Sequence, residues 1–252
     1  MLDFHWMVKG NFSRKELINT LETVSPCGYK SVLLPFQLEK NEPLISASML
    51  AERYDNISFM VAIRPYTITP FHLSMFARTF YEFYGNRLII NFVAGSYDEE
   101  EFWFTGVKGT IETRRKSLYN MIKEIRGHLS PNEMPTVAVS GSHPDTVKTL
   151  DEFGDISVNL KTDFLKNQEA LIKTKKRIMI RESLILSDDK MDQAVLFDRE
   201  KNNNLCGSED EVLFQIKELE QQGVTDLLVS NTYARKNNED VHHFVSNYYS
   251  MI

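Results

Sequence analysis

Short apolar runs alternate with helix-length amphipathic stretches eight times along the 252 residues. The runs fall at 2–8, 30–35, 57–64, 87–93, 136–140, 155–160, 177–186 and 225–230. Between and after them, helical patterns fall at 13–24, 44–53, 70–84, 109–129, 144–153, 163–174, 208–222 and 238–249. Several runs are apolar on both faces, as strands of a parallel sheet buried on both sides are. Eight such units predict an α/β chain folded as a single (β/α)8 TIM barrel over residues 1–252, with few insertions. An open doubly wound sheet is the rival, but no GxGxxG follows the first run, which weakens its dinucleotide-binding version. Ser13 with Glu16 makes a capping box for the first helix, and Gly28 closes it. The polar stretch 188–204 predicts the most mobile loop.

Composition narrows the function classes. The chain is 42% hydrophobic and 25% charged, ordinary for a globular domain. A net charge of -6 and a pI near 5.6 disfavour a nucleic-acid partner. The basic run Lys173, Lys175, Lys176 and Arg177 reads as a solvated helix end. No apolar run is long enough to span a bilayer, and the first residues have no signal-peptide pattern. Cys27 and Cys206 fit no disulfide framework or metal spacing, so a reducing cytoplasmic setting and no metal are expected.

In a (β/α)8 barrel the chemistry sits where strands end and helices begin. Ser140, Gly141, Ser142 and His143 form a small-residue turn ahead of the Pro144 helix, where free N–H groups and the helix dipole suit a phosphate. An ordinary capped turn would look the same. Ala94, Gly95 and Ser96 end the fourth run, and glycine there permits close approach of backbone to a flat ring. Arg64 ends the third run as a cation for an anionic ring or substrate, or as a partner for a carboxylate. Arg181 and Ser183 point the same way if the seventh run alternates. His5 and His143 are the histidines expected near the barrel top, whereas His72, His128, His242 and His243 fall on helices. The acidic run Asp98-Glu99-Glu100-Glu101 reads as a solvated loop, and Phe102-Trp103-Phe104 as a cover for the site or a partner contact.

Five segments in register carry a resemblance. They are FMVAIRP at 59–65 with Thr69-Pro70, GNRLIINFVAG at 85–95, Arg115 to Tyr119, Ser140-Gly141-Ser142, and Cys206-Gly207-Ser208-Glu209 through Gly223-Val224-Thr225-Asp226. Together they resemble the bacterial luciferase-like flavin-dependent monooxygenases, in particular the alkanesulfonate monooxygenase branch, of which this chain looks like a shortened member. The resemblance implies reduced FMN as co-substrate, a separate NAD(P)H:flavin reductase, O2, and a small organic substrate. It assigns the FMN phosphate to the 140–143 turn with Tyr119, and the ring to Arg64 and the 94–96 strand end. It gives Arg181 and Tyr233 active-site roles. Pairing through the second and third helices, as a homodimer or heterodimer, is implied too, with Met49, Leu50, Leu73, Phe76, Phe80 and Phe83 apolar enough for it. The chain departs from the branch in lacking the insertion after the fourth helix and most of the lid-forming segment after strand seven, and at two residues. Lys40 stands where the branch has a loop cysteine, and Ser183 where it has a histidine. His5 or His143 would then carry proton transfer. These departures also raise the alternative of a non-catalytic flavin-binding protein or one subunit of a heterodimer. A sugar-phosphate barrel is a third reading.

Overall fold

A computed structural model describes residues 1–8, 12–37, 41–95, 110–187, 204–229 and 235–249. Nine parallel strands and eight helices occur among them. The first half runs β1 (Asp3–Met7), α1 (Arg14–Val24), β2 (Ser31–Leu34), α2 (Pro43–Ala51), β3 (Ser58–Ile63), α3 (Pro70–Tyr84), β4 (Leu88–Val93) and α4 (Ile111–His128). The second half runs β5 (Thr136–Ser140), α5 (Pro144–Phe153), β6 (Ile156–Leu160), α6 (Lys161–Lys173), β7 (Arg177–Leu186), β8 (Asn204–Gly207), α7 (Glu209–Gln221), β9 (Asp226–Val229) and α8 (Arg235–Tyr248). Strands β1 to β7 pair in chain order, and β9 closes the ring between β7 and β1. This is the expected (β/α)8 barrel.

The sequence signals act where they were read. Ser13 and Glu16 form the capping box of α1, and a short 3-10 turn then ends at Gly28, whose φ of 85° is the left-handed conformation glycine adopts freely. Ser208 and Glu211 form a second capping box at α7. Side chains alternate between two cores. Phe4, Phe59, Phe92 and their outward neighbours pack beneath the helices. Leu33, Met60, Ile89, Ala138, Ile156, Met179 and Leu228 fill the barrel interior. On α2 and α3, Leu50, Leu73 and Phe80 are buried against the barrel, while Phe83 faces solvent.

Two features differ from the sequence reading. A strand not expected, β8, begins at Asn204, the last residue of the polar stretch read as loop: β7 outlasts the barrel, and from Ser183 onward it pairs with β8 in place of β9. Arg177 does not solvate a helix end either. It begins β7 on the barrel floor and bonds to Asp3 and Asp226. Among the described residues no helix is long and apolar enough to cross a membrane.

Candidate active site

The C-terminal strand ends enclose a cavity of about 300 Å³. Its wall is mostly apolar, from Met7, Leu33, Phe36, Ala62, Val93 and Leu228, with Arg64, Asn91, Ser140, Asn159, Asp163 and Arg181 as the polar side chains that interrupt it. A mostly apolar pocket with a few convergent polar groups is how sites for flat organic ligands are built.

Four of the expected residues meet at this cavity. Arg64 packs its guanidinium over the Phe36 ring, 5.2 Å from the centroid. Arg181, on the inward face of β7, makes no side-chain hydrogen bond or ion pair among the described residues. Ser140 donates from Oγ to Asn91 Oδ1 at 2.8 Å, which fixes the Asn91 amide with its NH2 as the uncommitted end. Gly141 lines the wall with φ of 109°, and its N–H donates to the Val158 carbonyl at 3.0 Å. Gly95, with φ of 77°, ends the turn out of β4 beside the half-buried Ala94.

Beside the cavity, the 141–143 turn makes a corner at the start of α5. Ser142 and His143 make no backbone N–H bond among the described residues, and they lead into α5. His143 caps that helix, its Nδ1 accepting from the Asp145 N–H at 3.3 Å. A Cβ placed on Gly141 would meet only the Thr146 side chain, at 3.8 Å, so the corner is open. Ser142 Oγ accepts from Asn167 Nδ2 at 3.1 Å, tying the turn to α6.

Three expectations need correction. His5 is not at the barrel top. It points inward, with its Cα opposite Ser31, the first residue of β2, and its ring turned down to Asp226, the first residue of β9. Its Nε2 donates to Asp226 Oδ1 at 2.8 Å, and Ser31 Oγ lies 2.7 Å from its Nδ1. All three side chains are buried, so this serine–histidine–aspartate array is a floor plug that a ligand does not reach. Burial pushes the Asp226 carboxyl up, but bonds from His5 and Thr225 and the Arg177 charge more than offset it, leaving it below the usual carboxylate range. Ser183 is buried beyond the barrel rim, where β7 has left β9 for β8, and does not line the cavity. Tyr119 does not reach the 141–143 turn. Its hydroxyl donates to Glu152 at 3.0 Å across the α4–α5 groove, a bond that with partial desolvation raises its pKa. Arg115, Lys116 and Lys148 share that groove, of about 310 Å³. Ser96, Tyr233, Lys40, Asp98-Glu99-Glu100-Glu101 and Phe102-Trp103-Phe104 lie outside the described residues.

Asn91 and Asp163 were missed. A polar residue inside the otherwise apolar run 88–93 was the available signal for Asn91. Asp163 reads as an ordinary first-turn acid, and only the packing of α6 turns it toward the cavity.

The family model described as luciferase-like monooxygenase matches residues 3–156, more than half of the chain. Solved structures share the whole fold at low identity. The EDTA monooxygenase from Chelativorans sp. BNC1 superposes with a TM-score of 0.80 at 10% identity, covering 99% of this chain and 93% of that one. The oxygenating constituent of 3,6-diketocamphane monooxygenase from Pseudomonas putida, solved with FMN, gives 0.70 at 15% identity, covering 97% and 95%. The coenzyme F420-dependent tetrahydromethanopterin reductase from Methanopyrus kandleri gives 0.70 at 12%, covering 97% of each.

Proposed function

The chain belongs to the luciferase-like monooxygenase family, and on that premise we propose that it is an FMNH2-dependent monooxygenase that oxidises a small organic substrate with O2. One observation carries this reading. An apolar cavity with Arg64, Asn91, Ser140 and Arg181 in its wall adjoins, at Gly141, the turn into α5, where the Ser142 and His143 N–H groups make no bond among the described residues. A flat ring with a phosphate tail needs those two features side by side. When bound, reduced flavin supplies the activation of O2 and the transfer of one oxygen atom.

The residues divide the remaining work. Ser142, His143 and the open Gly141 corner hold the phosphate. The apolar wall excludes water and so strengthens each polar contact inside. Arg64 and Arg181 place positive charge beside whatever negative charge the ring or substrate carries. Ala94 and Gly95 approach the ring with backbone, and Ser96 and Tyr233 belong to the same reading. We place the protein in the cytoplasm, supplied by a separate NAD(P)H:flavin reductase. We also propose a dimer, with a second copy or a paralogous chain, through the α2–α3 face, where Ile45, Phe71, Met75 and Phe83 are exposed. A second reading, a flavin-binding subunit without turnover of its own, is favoured by the positions of His5 and Ser183 away from the cavity.

Anaerobic titration with reduced FMN tests the proposal. The account expects a saturable complex with a Kd of about 10 μM or tighter, roughly -7 kcal/mol. No binding of reduced or oxidised FMN at tens of micromolar (an order-of-magnitude ceiling) would overturn it.

A further inference from the structure

Two opposite charges border the cavity, and neither is bonded to the other. Arg181 stands on β7, and Asp163 is in the first turn of α6. Strands β6 and β7 are neighbours with Leu160 opposite Arg181, and Asp163 follows Leu160 by three residues. Both side chains therefore reach the cavity from the same side. Among the described residues neither makes a side-chain hydrogen bond or an ion pair.

An acid in a first helical turn suits the dipole, which explains its presence but not its direction. The direction comes from how α6 begins. Leu160 offers no capping side chain, and the Lys161 N–H is taken instead by buried Glu182 of β7, at 3.0 Å. At Asn167 the helix breaks, with φ of -125°, and that amide bonds both Ser142 Oγ at 3.1 Å and the Asp163 carbonyl at 3.0 Å. The first turn is thus tied to β7 on one side and to the 141–143 turn on the other. Asp163 is held over the cavity by contacts that do not involve its own carboxylate.

A carboxylate only accepts hydrogen bonds and a guanidinium only donates them. We propose that Asp163 and Arg181 together read a ligand edge that carries a donor beside an acceptor, an O=C–N–H edge of imide or ureide type. Arg181 donates to the carbonyl and Asp163 accepts from the N–H. The inference rests on the flavin reading, since the pyrimidine edge of a flavin or a deazaflavin is such an edge. It adds the two side chains that orient the ring. Charge-assisted bonds are the strong kind, so the pair sets orientation as well as affinity.

Fluorescence titration of the full chain with FMN and with N3-methyl-FMN tests this. The wild type is expected to bind the methylated flavin about tenfold more weakly or worse, the loss for one hydrogen bond to a charged group. Asp163→Ala should weaken FMN by a similar factor and bind the two flavins alike. Arg181→Ala should weaken both while keeping the preference. Equal binding of both flavins by the wild type, or a preference that survives in Asp163→Ala, would overturn the proposal while leaving the flavin reading in place. The wild-type comparison decides even where a variant fails to fold. No binding of FMN in either its oxidised or its reduced form would overturn the flavin reading, and this proposal with it.

Discussion

Asp226→Ala is expected to cost about 3–5 kcal/mol of stability, the loss seen when one member of a buried charged network is removed. Asp226 is fully buried on the barrel floor and accepts from His5 Nε2, Thr225 Oγ1 and the Arg177 guanidinium. Through these bonds one carboxylate joins β1, β7 and β9, the three strands at which the barrel closes. Truncation leaves the His5 ring buried without its acceptor and leaves Arg177 with Asp3 alone, on the solvent side. Urea unfolding of wild type and variant measures the loss. His5→Ala combined with Asp226→Ala should be less damaging than the sum of the two single changes, because the removed groups bond each other. An Asp226→Ala protein within about 1 kcal/mol of wild type, the range of an ordinary point change, would show that the floor network does not hold the closure.

Acid should destabilise the fold through His242. This ring, on α8, sits 4.6 Å from the Trp6 ring at a tilt of 56°, with its Nδ1 3.1 Å from the Tyr29 hydroxyl. Burial lowers its pKa from 6.5 to about 4. The same burial holds the Tyr29 phenol well above its ordinary value, so Tyr29 stays protonated and donates to a neutral imidazole. The folded-state pKa lies below the unfolded one. The unfolded chain therefore takes up a proton as pH falls through 6.5, while the folded chain resists until about pH 4. The stability His242 confers is complete above pH 6.5 and falls by about 3 kcal/mol in total on the way to pH 4. His242→Phe removes the titrating group from a cluster of similar size. Its stability deficit at pH 7 should shrink, or reverse, toward pH 4. A deficit that does not change with pH would show that His242 is not the group that titrates.

The barrel was legible because its eight units repeat one local pattern, and turn chemistry marked many boundaries. The runs 136–140 and 177–186 and the helices 70–84 and 144–153 coincide with β5, β7, α3 and α5. Strand β8 was hidden because four residues after a polar stretch carry too little periodicity, and only the long β7 gives them a partner. The site was legible in part. Arg64, Ser140 and Gly141 lie at strand ends and Arg181 lies just before β7 leaves β9, and that level defines the mouth of a barrel. His5 shows what alternation leaves open. It tells which residues face inward, whereas the height of each in the barrel depends on register between strands far apart in sequence. Tyr119 failed for a related reason, since its partner Glu152 lies on the next helix, 33 residues away. Asp163 depended on Glu182 and Asn167, whose contacts set the start of α6 and have no local signature.

The central claim, a barrel that binds reduced FMN and governs its reaction with O2, is tested most directly by mixing the anaerobic complex with air-saturated buffer. Reoxidation is followed by the return of flavin absorbance as the protein is raised past saturation. The account predicts a time course that departs from that of free reduced FMN and saturates with the same midpoint as binding. Reoxidation at the free-flavin rate at every protein concentration would contradict it.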